Sequence, residues 1–96
     1  MHIEDLLKAK REEILKIATK HGARNVRIFG SLARGEADSE SDLDILVEFL
    51  PRSTLLSQSA MIRELENLLE IKVDVVSDQG LRERFRDRVL REAVAL

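Results

Sequence analysis

The chain contains no cysteine, which excludes disulfides and thiolate metal sites. It has no tryptophan and no tyrosine, and its aromatic content is three phenylalanines. Proteins that bind single-stranded nucleic acid stack bases on aromatic side chains, so that mode is nearly closed to it. A formal net charge of −2 also argues against a broad phosphate-neutralising surface. No apolar run approaches the ~20 residues that cross a bilayer. The N-terminal MHIEDLLKAK lacks the apolar centre of a signal peptide. The expected location is the cytoplasm.

What is present is a chain of 96 residues, 44% hydrophobic and 35% charged, the composition of an ordinary globular protein. Domains commonly run ~100–150 residues, so residues 1–96 are read as one domain. Such a chain can bury one modest core but has no room for a second, substrate-gripping lobe.

Ile3, Leu6, Leu7, Ile14, Ile17 and Ala18 recur at helical spacing, which predicts a helix ending at Gly22. A short strand follows over Val26 to Phe29, and a second from Leu43 to Phe49, stopping before Pro51. Ser53 and Thr54 are candidate caps for a second long helix to about Glu70, with Leu55, Ile62, Leu65, Leu68 and Leu69 on its buried stripe. The third strand is IKVDVV, residues 71–76. A last helix runs nearly to the end, with Leu81, Phe85, Val89 and Ala93 four apart. This order predicts an α/β (α+β) fold: a sheet of three strands or slightly more, with helices gathered on one face.

Alternation within the strands places the polar residues. Residues i and i+2 share a face. Leu43, Ile45, Val47 and Phe49 form an apolar face, and Asp42, Asp44 and Glu48 lie on the other with Leu46. In the third strand, Asp74 points away from Ile71, Val73 and Val75. If the two strands are neighbours and their apolar faces meet the helices, Asp42, Asp44 and Asp74 project together from the open side.

A lone exposed aspartate is usually a solvated charge or a turn former. Three on one face, inside otherwise apolar strands, point to a hard cation. Mg²⁺ prefers oxygen ligands and commonly takes one or two carboxylates together with substrate phosphates. The i, i+2 spacing puts two Cα atoms ~6.6 Å apart, close enough to serve one ion. Such an ion would relieve the repulsion and assist phosphoryl or nucleotidyl transfer. At the end of the first strand, Gly30 would let backbone approach a phosphate, Ser31 adds a hydroxyl donor, and the turn SLARG aims N–H groups at the same anion. Arg34 reads either as a cation for that anion or as a surface arginine. No Gly-Lys-Ser/Thr follows, so this is not a P-loop.

Gly30-Ser31, ten intervening residues, then Asp42-Leu43-Asp44 resembles the signature of the DNA-polymerase-beta-like nucleotidyltransferase superfamily. The longer stretch IFGSLARGEADSESDLDILVEF, with Asp74 in KVDVV and the closing arginine-rich helix, is similar to its smallest branch, the minimal nucleotidyltransferases. The resemblance covers nearly the whole chain without departure at a motif position. It implies a small mixed sheet of the polymerase-beta-like palm type. It implies an antitoxin that transfers AMP from ATP to a tyrosine hydroxyl of a HEPN-domain ribonuclease toxin, its partner. Gly30 and Ser31 would hold the triphosphate, Asp42 and Asp44 would ligate Mg²⁺, and Asp74 would complete the metal site and deprotonate or orient the attacking hydroxyl. The competing expectation is an antitoxin that silences its toxin by occlusion alone, for which intact carboxylates at 42, 44 and 74 would be unnecessary.

Two features stand outside this scheme. The closing helix carries Arg82, Arg84, Arg86, Arg88 and Arg91 and reads either as a contact surface for an acidic partner or RNA, or as a solvated helix laced with i,i+4 pairs. His2 and His21 have no metal-ligand spacing.

Overall fold

Lys10 divides the N-terminal helical pattern. In the computed structural model, which describes residues 3–30, 33, 42–81 and 83–96, the predicted single helix is two, α1 (Ile3–Ala9) and α2 (Arg11–Lys20). Hydrogen bonds from Lys10 N to Leu6 O and from Ile14 N to Lys10 O, both 2.9 Å, carry the chain through the turn. Leu7, Ile14 and Ala18 stay on one buried stripe. Gly22, at φ +77°, ends α2 in the left-handed conformation that glycine adopts without strain, and its N–H bonds Thr19 O at 3.1 Å.

Strand β1 (Ala23–Phe29) pairs antiparallel with β2 (Leu43–Phe49), and β2 pairs parallel with β3 (Val73–Ser77). A two-residue β4 (Val94–Ala95) adds to the other side of β1, giving the order β3-β2-β1-β4. This is a four-stranded mixed sheet in an α/β protein. Helix α3 (Leu55–Leu69) is capped by Thr54, whose Oγ1 accepts from Ser57 N at 3.1 Å. Ser53 instead donates to His21 O at 3.0 Å. Met61, Leu65 and Leu69 recur every four residues and are buried with Leu7, Ile14, Ala18, Ile28, Leu43, Ile45 and Val47 in one core cluster. Each fully buried side chain of this size contributes ~1.5–3 kcal/mol.

Three expectations are corrected. Leu55 is 80% exposed rather than on the buried stripe, and Leu56 is 83% exposed; both occupy the first turn of α3, more than a turn before Met61 meets the sheet. The third strand starts at Val73, not Ile71, because Glu70 takes a left-handed conformation at φ 55° as the C-cap of α3. The last helix, α4 (Glu83–Glu92), ends before the chain does, and the following residues form β4.

The C-terminal end of α2 is tied to the middle of α3 by charge. Glu64 accepts from Lys20 Nζ at 2.9 Å and also bonds His21 Nε2. Hydrogen bonds from Lys20 first, and from His21, hold the Glu64 carboxyl below its usual pKa. The hydrogen bond from Arg24 does the same for Glu48. A carboxyl whose pKa is depressed in the folded state stabilises the fold above its unfolded pKa and loses that contribution as pH falls through the folded value. Melting temperature should therefore fall as pH drops below the ordinary glutamate range of ~4.3, and Glu64→Gln should flatten part of that fall. Thermal melts of both proteins from neutral pH to acid check it; identical slopes would show the clamp to be inert.

Candidate active site

The open face of the sheet is built by the same alternation that buries the other. In the parallel β2–β3 pair, Asp44 lies directly opposite Asp74 and Leu43 opposite Val73. Leu43 and Val73 are buried, so Asp44 and Asp74 share the opposite face on strands ~4.8 Å apart. Asp42 stands two residues before Asp44 at the mouth of β2 and is exposed, as is Asp74, while Asp44 is half-buried. Like charges directly opposite each other destabilise a sheet, a cost the fold accepts at this register.

Gly30 meets this group from β1. Its φ is +77°, and a Cβ built on it would overlap the Asp44 carboxylate, with Asp44 Cγ at 3.1 Å and Asp44 Cβ at 3.3 Å. Only a residue without a side chain lets the turn after β1 press against Asp44. Ser31 and Arg34, the other expected anion contacts, lie outside the described residues. The structure thus brings Gly30, Asp44 and Asp74 together, with Asp42 at the margin.

The carboxylates are not gathered into a ready-made cage. Among the described residues, no three His, Asp or Glu side chains stand close enough to hold an ion as placed. The Asp44 carboxylate lies against Gly30. The donor set still fits Mg²⁺, which needs only one or two protein carboxylates when phosphate oxygens complete its shell; Asp44 and Asp74 are the pair positioned for it.

The far half of the same face is closed by a pair that the sequence pattern did not reveal. Arg27 of β1 reaches Asp78, in the short 3₁₀ turn after β3 (Asp78–Gly80), with Nη2 to Oδ2 at 3.4 Å. Because β2 lies between β1 and β3, this contact passes over the central strand. It explains why Leu46, which faces the carboxylate side, is nevertheless fully buried. Asp78 Oδ1 is buried without a hydrogen-bond partner among the described residues, and Asp78 O accepts from Arg86 of α4 at 3.3 Å. The signal available was the i, i+4 spacing of Asp74 and Asp78, which in sequence reads equally well as a helix cap.

Residues 10–96 match the nucleotidyltransferase-domain family; the chain belongs to that family and is a nucleotidyltransferase. It is 39% identical over 92 residues to protein adenylyltransferase MntA of Thermococcus cleftensis, covering 96% of this chain and 90% of that one. MJ0435 of Methanocaldococcus jannaschii, a candidate protein adenylyltransferase, is 42% identical over 84 residues, 88% of this chain and 90% of its own length. A solved structure of a candidate minimal nucleotidyltransferase superposes with a TM-score of 0.89 at 50% identity, covering 100% of this chain and 97% of the other. A toxin–antitoxin crystal structure with AMP-PNP shares the fold, with a TM-score of 0.74 at 20% identity over 88% of this chain and 69% of that one.

Proposed function

We propose that this chain is a Mg²⁺-dependent protein adenylyltransferase antitoxin, transferring AMP from ATP to a tyrosine hydroxyl of a HEPN-domain toxin and thereby silencing it. The observation that carries the reading is the registered Asp44–Asp74 pair against Gly30. Support for a protein acceptor comes from MntA of T. cleftensis, whose name states that activity. Support for a toxin partner comes from the fold shared with the antitoxin solved in a toxin–antitoxin complex.

In this reading Gly30 leaves space for the triphosphate, and Ser31 and Arg34 bind its oxygens. Asp42, Asp44 and Asp74 hold Mg²⁺, which when bound offsets the carboxylate charge and screens the triphosphate. The tyrosine oxygen attacks the α-phosphorus of ATP as the bond to the β-phosphate oxygen breaks in line, and pyrophosphate leaves. The phenolic proton passes toward Asp74, which is exposed and so accessible to an acceptor hydroxyl, as a general base requires. The product is an AMP–tyrosine phosphodiester.

Intact-mass spectrometry of the toxin co-expressed with this chain tests the reading. The toxin should gain one or more AMP units with the natural sequence and none with the Asp42→Asn/Asp44→Asn double variant. An unmodified toxin that is nevertheless neutralised by the double variant would establish occlusion instead.

A further inference from the structure

The amphipathic surface of helix α4 stays largely unmatched among the described residues. Its apolar stripe, Phe85 and Val89 four apart, lies along one side, but the stripe closes only at its C-terminal end. Val89 is half-buried, whereas Phe85, one turn earlier, remains 46% exposed. Next to it runs a second stripe, Arg84, Arg88 and Arg91 at i, i+4 and i+7, which share one face. Arg84 stacks on Phe85 with its guanidinium carbon 5.0 Å from the ring centroid. Arg88 pairs with Glu92 at 3.3 Å. Arg91 Nε donates to the Asp87 carbonyl at 3.3 Å. Among the described residues, Arg84 and Arg91 therefore have no carboxylate partner, while the chain as a whole is acidic.

A ten-residue helix is marginal by itself in water, and α4 buries little. Its described anchor at the N-terminal half is the bond from Arg86 to Asp78 O. Asp78 lies four residues beyond Asp74, ~13 Å along an extended strand, and pairs with Arg27, so the Arg86 bond anchors α4 at the far half of the face that carries Asp44 and Asp74.

We propose that the arginine stripe and Phe85 of α4 form the docking surface for an acidic segment of the protein whose hydroxyl is modified, an apolar side chain of that segment covering Phe85. This rests on the protein-adenylylation reading for the identity of the occupant. Charge complementarity selects the occupant. Nucleic acid is disfavoured because one phenylalanine offers a single stacking surface on a net-negative chain.

The test is hydrogen exchange and binding with the co-expressed toxin in the absence of ATP, so that its readout does not depend on transfer. Amides of residues 83–92 should exchange about tenfold or more slowly in the complex, as expected for a low-stability element ordered by a partner. Arg84→Glu/Arg91→Glu should weaken toxin binding about tenfold or more, and Arg84→Lys/Arg91→Lys should retain most of it. Binding by the natural sequence should also weaken as salt rises, which reads out the charge contribution even if the reversal variant proves unstable. Unchanged exchange in α4, or equal toxin affinity for the reversal variant, overturns the proposal even where AMP transfer proceeds. Loss of binding on nuclease treatment, or a dimer of this chain that the reversal variant dissociates, assigns the surface to RNA or to a second copy and overturns it as well. An unmodified toxin that still protects α4 leaves the docking surface standing and refutes only the chemistry.

Discussion

Asp44→Asn is expected to lower AMP transfer by ~10³-fold or more, about 4 kcal/mol of transition-state stabilisation, while the sheet stays intact. The substitution preserves volume and hydrogen-bonding shape. The residues packed on the other side of β2, Leu43, Ile45 and Val47, are fully buried and untouched by it. What it removes is the charge that makes the pair with Asp74 fit a divalent cation. Asp74→Asn sharpens the test because its two consequences have opposite signs. If Asp74 receives the hydroxyl proton as proposed, its loss should cost ~10²–10⁴-fold in rate. As one half of a like-charged cross-strand pair, its neutralisation should stabilise the sheet by ~0.2–1 kcal/mol. For a domain of this size that raises the melting temperature by roughly 1–8 °C. Steady-state transfer assays with the toxin, alongside thermal melts, distinguish the cases. A charge retained for folding would lose stability on neutralisation; a charge retained for chemistry loses rate and gains stability. Full activity in either variant would remove the carboxylates from the reaction.

The face on which these groups sit was readable from alternation because β2 and β3 are uninterrupted. Leu43, Ile45 and Val47 go in, and Asp44 goes out, without exception. Strand β1 was half-readable for the opposite reason. Its register slips between Arg24 and Arg27, where three residues on β1 match two on β2, and Asn25 sits at φ 54°. This bulge puts Ala23, Val26 and Ile28 all on the buried side, a pattern that violates a period of two. Hence the sequence predicts a strand from Val26, whereas β1 begins at Ala23. Strand β4 is two residues long and carries no pattern of its own; it exists because β1 offers an edge. The Arg27–Asp78 contact over Leu46 and the Glu64 clamp on Lys20 and His21 join residues 51, 44 and 43 positions apart. Local spacing holds no record of such pairs, since strand order alone brings them together. Residue chemistry identified the paired aspartates and Gly30; only topology could set Asp44 opposite Asp74.

Gly30→Ala is expected to abolish most transfer, and Gly22→Ala provides a matched comparison. Both glycines have φ +77°, so an added Cβ imposes a left-handed penalty of ~1–2 kcal/mol at either position. Both variants should accordingly melt lower, by ~4–8 °C for each kcal/mol. Their surroundings differ. At Gly22 the new methyl would meet Ser53 Cβ at 3.2 Å, a contact on the connection from β2 to α3, and a shift of a few tenths of an ångström relieves it. At Gly30 it would run into the Asp44 carboxylate itself, so the carboxylate must move or the turn must lift away from β2. Either response misplaces a reacting-site group by about 1 Å, a displacement that costs on the order of 10²-fold in rate. Gly22→Ala should therefore retain near-natural kcat below its lowered melting temperature, and Gly30→Ala should not. Transfer rates measured for both at a temperature where each is folded decide the matter. Equal rates would show that the glycine serves only its turn and that the site does not depend on the close approach of β1 to Asp44.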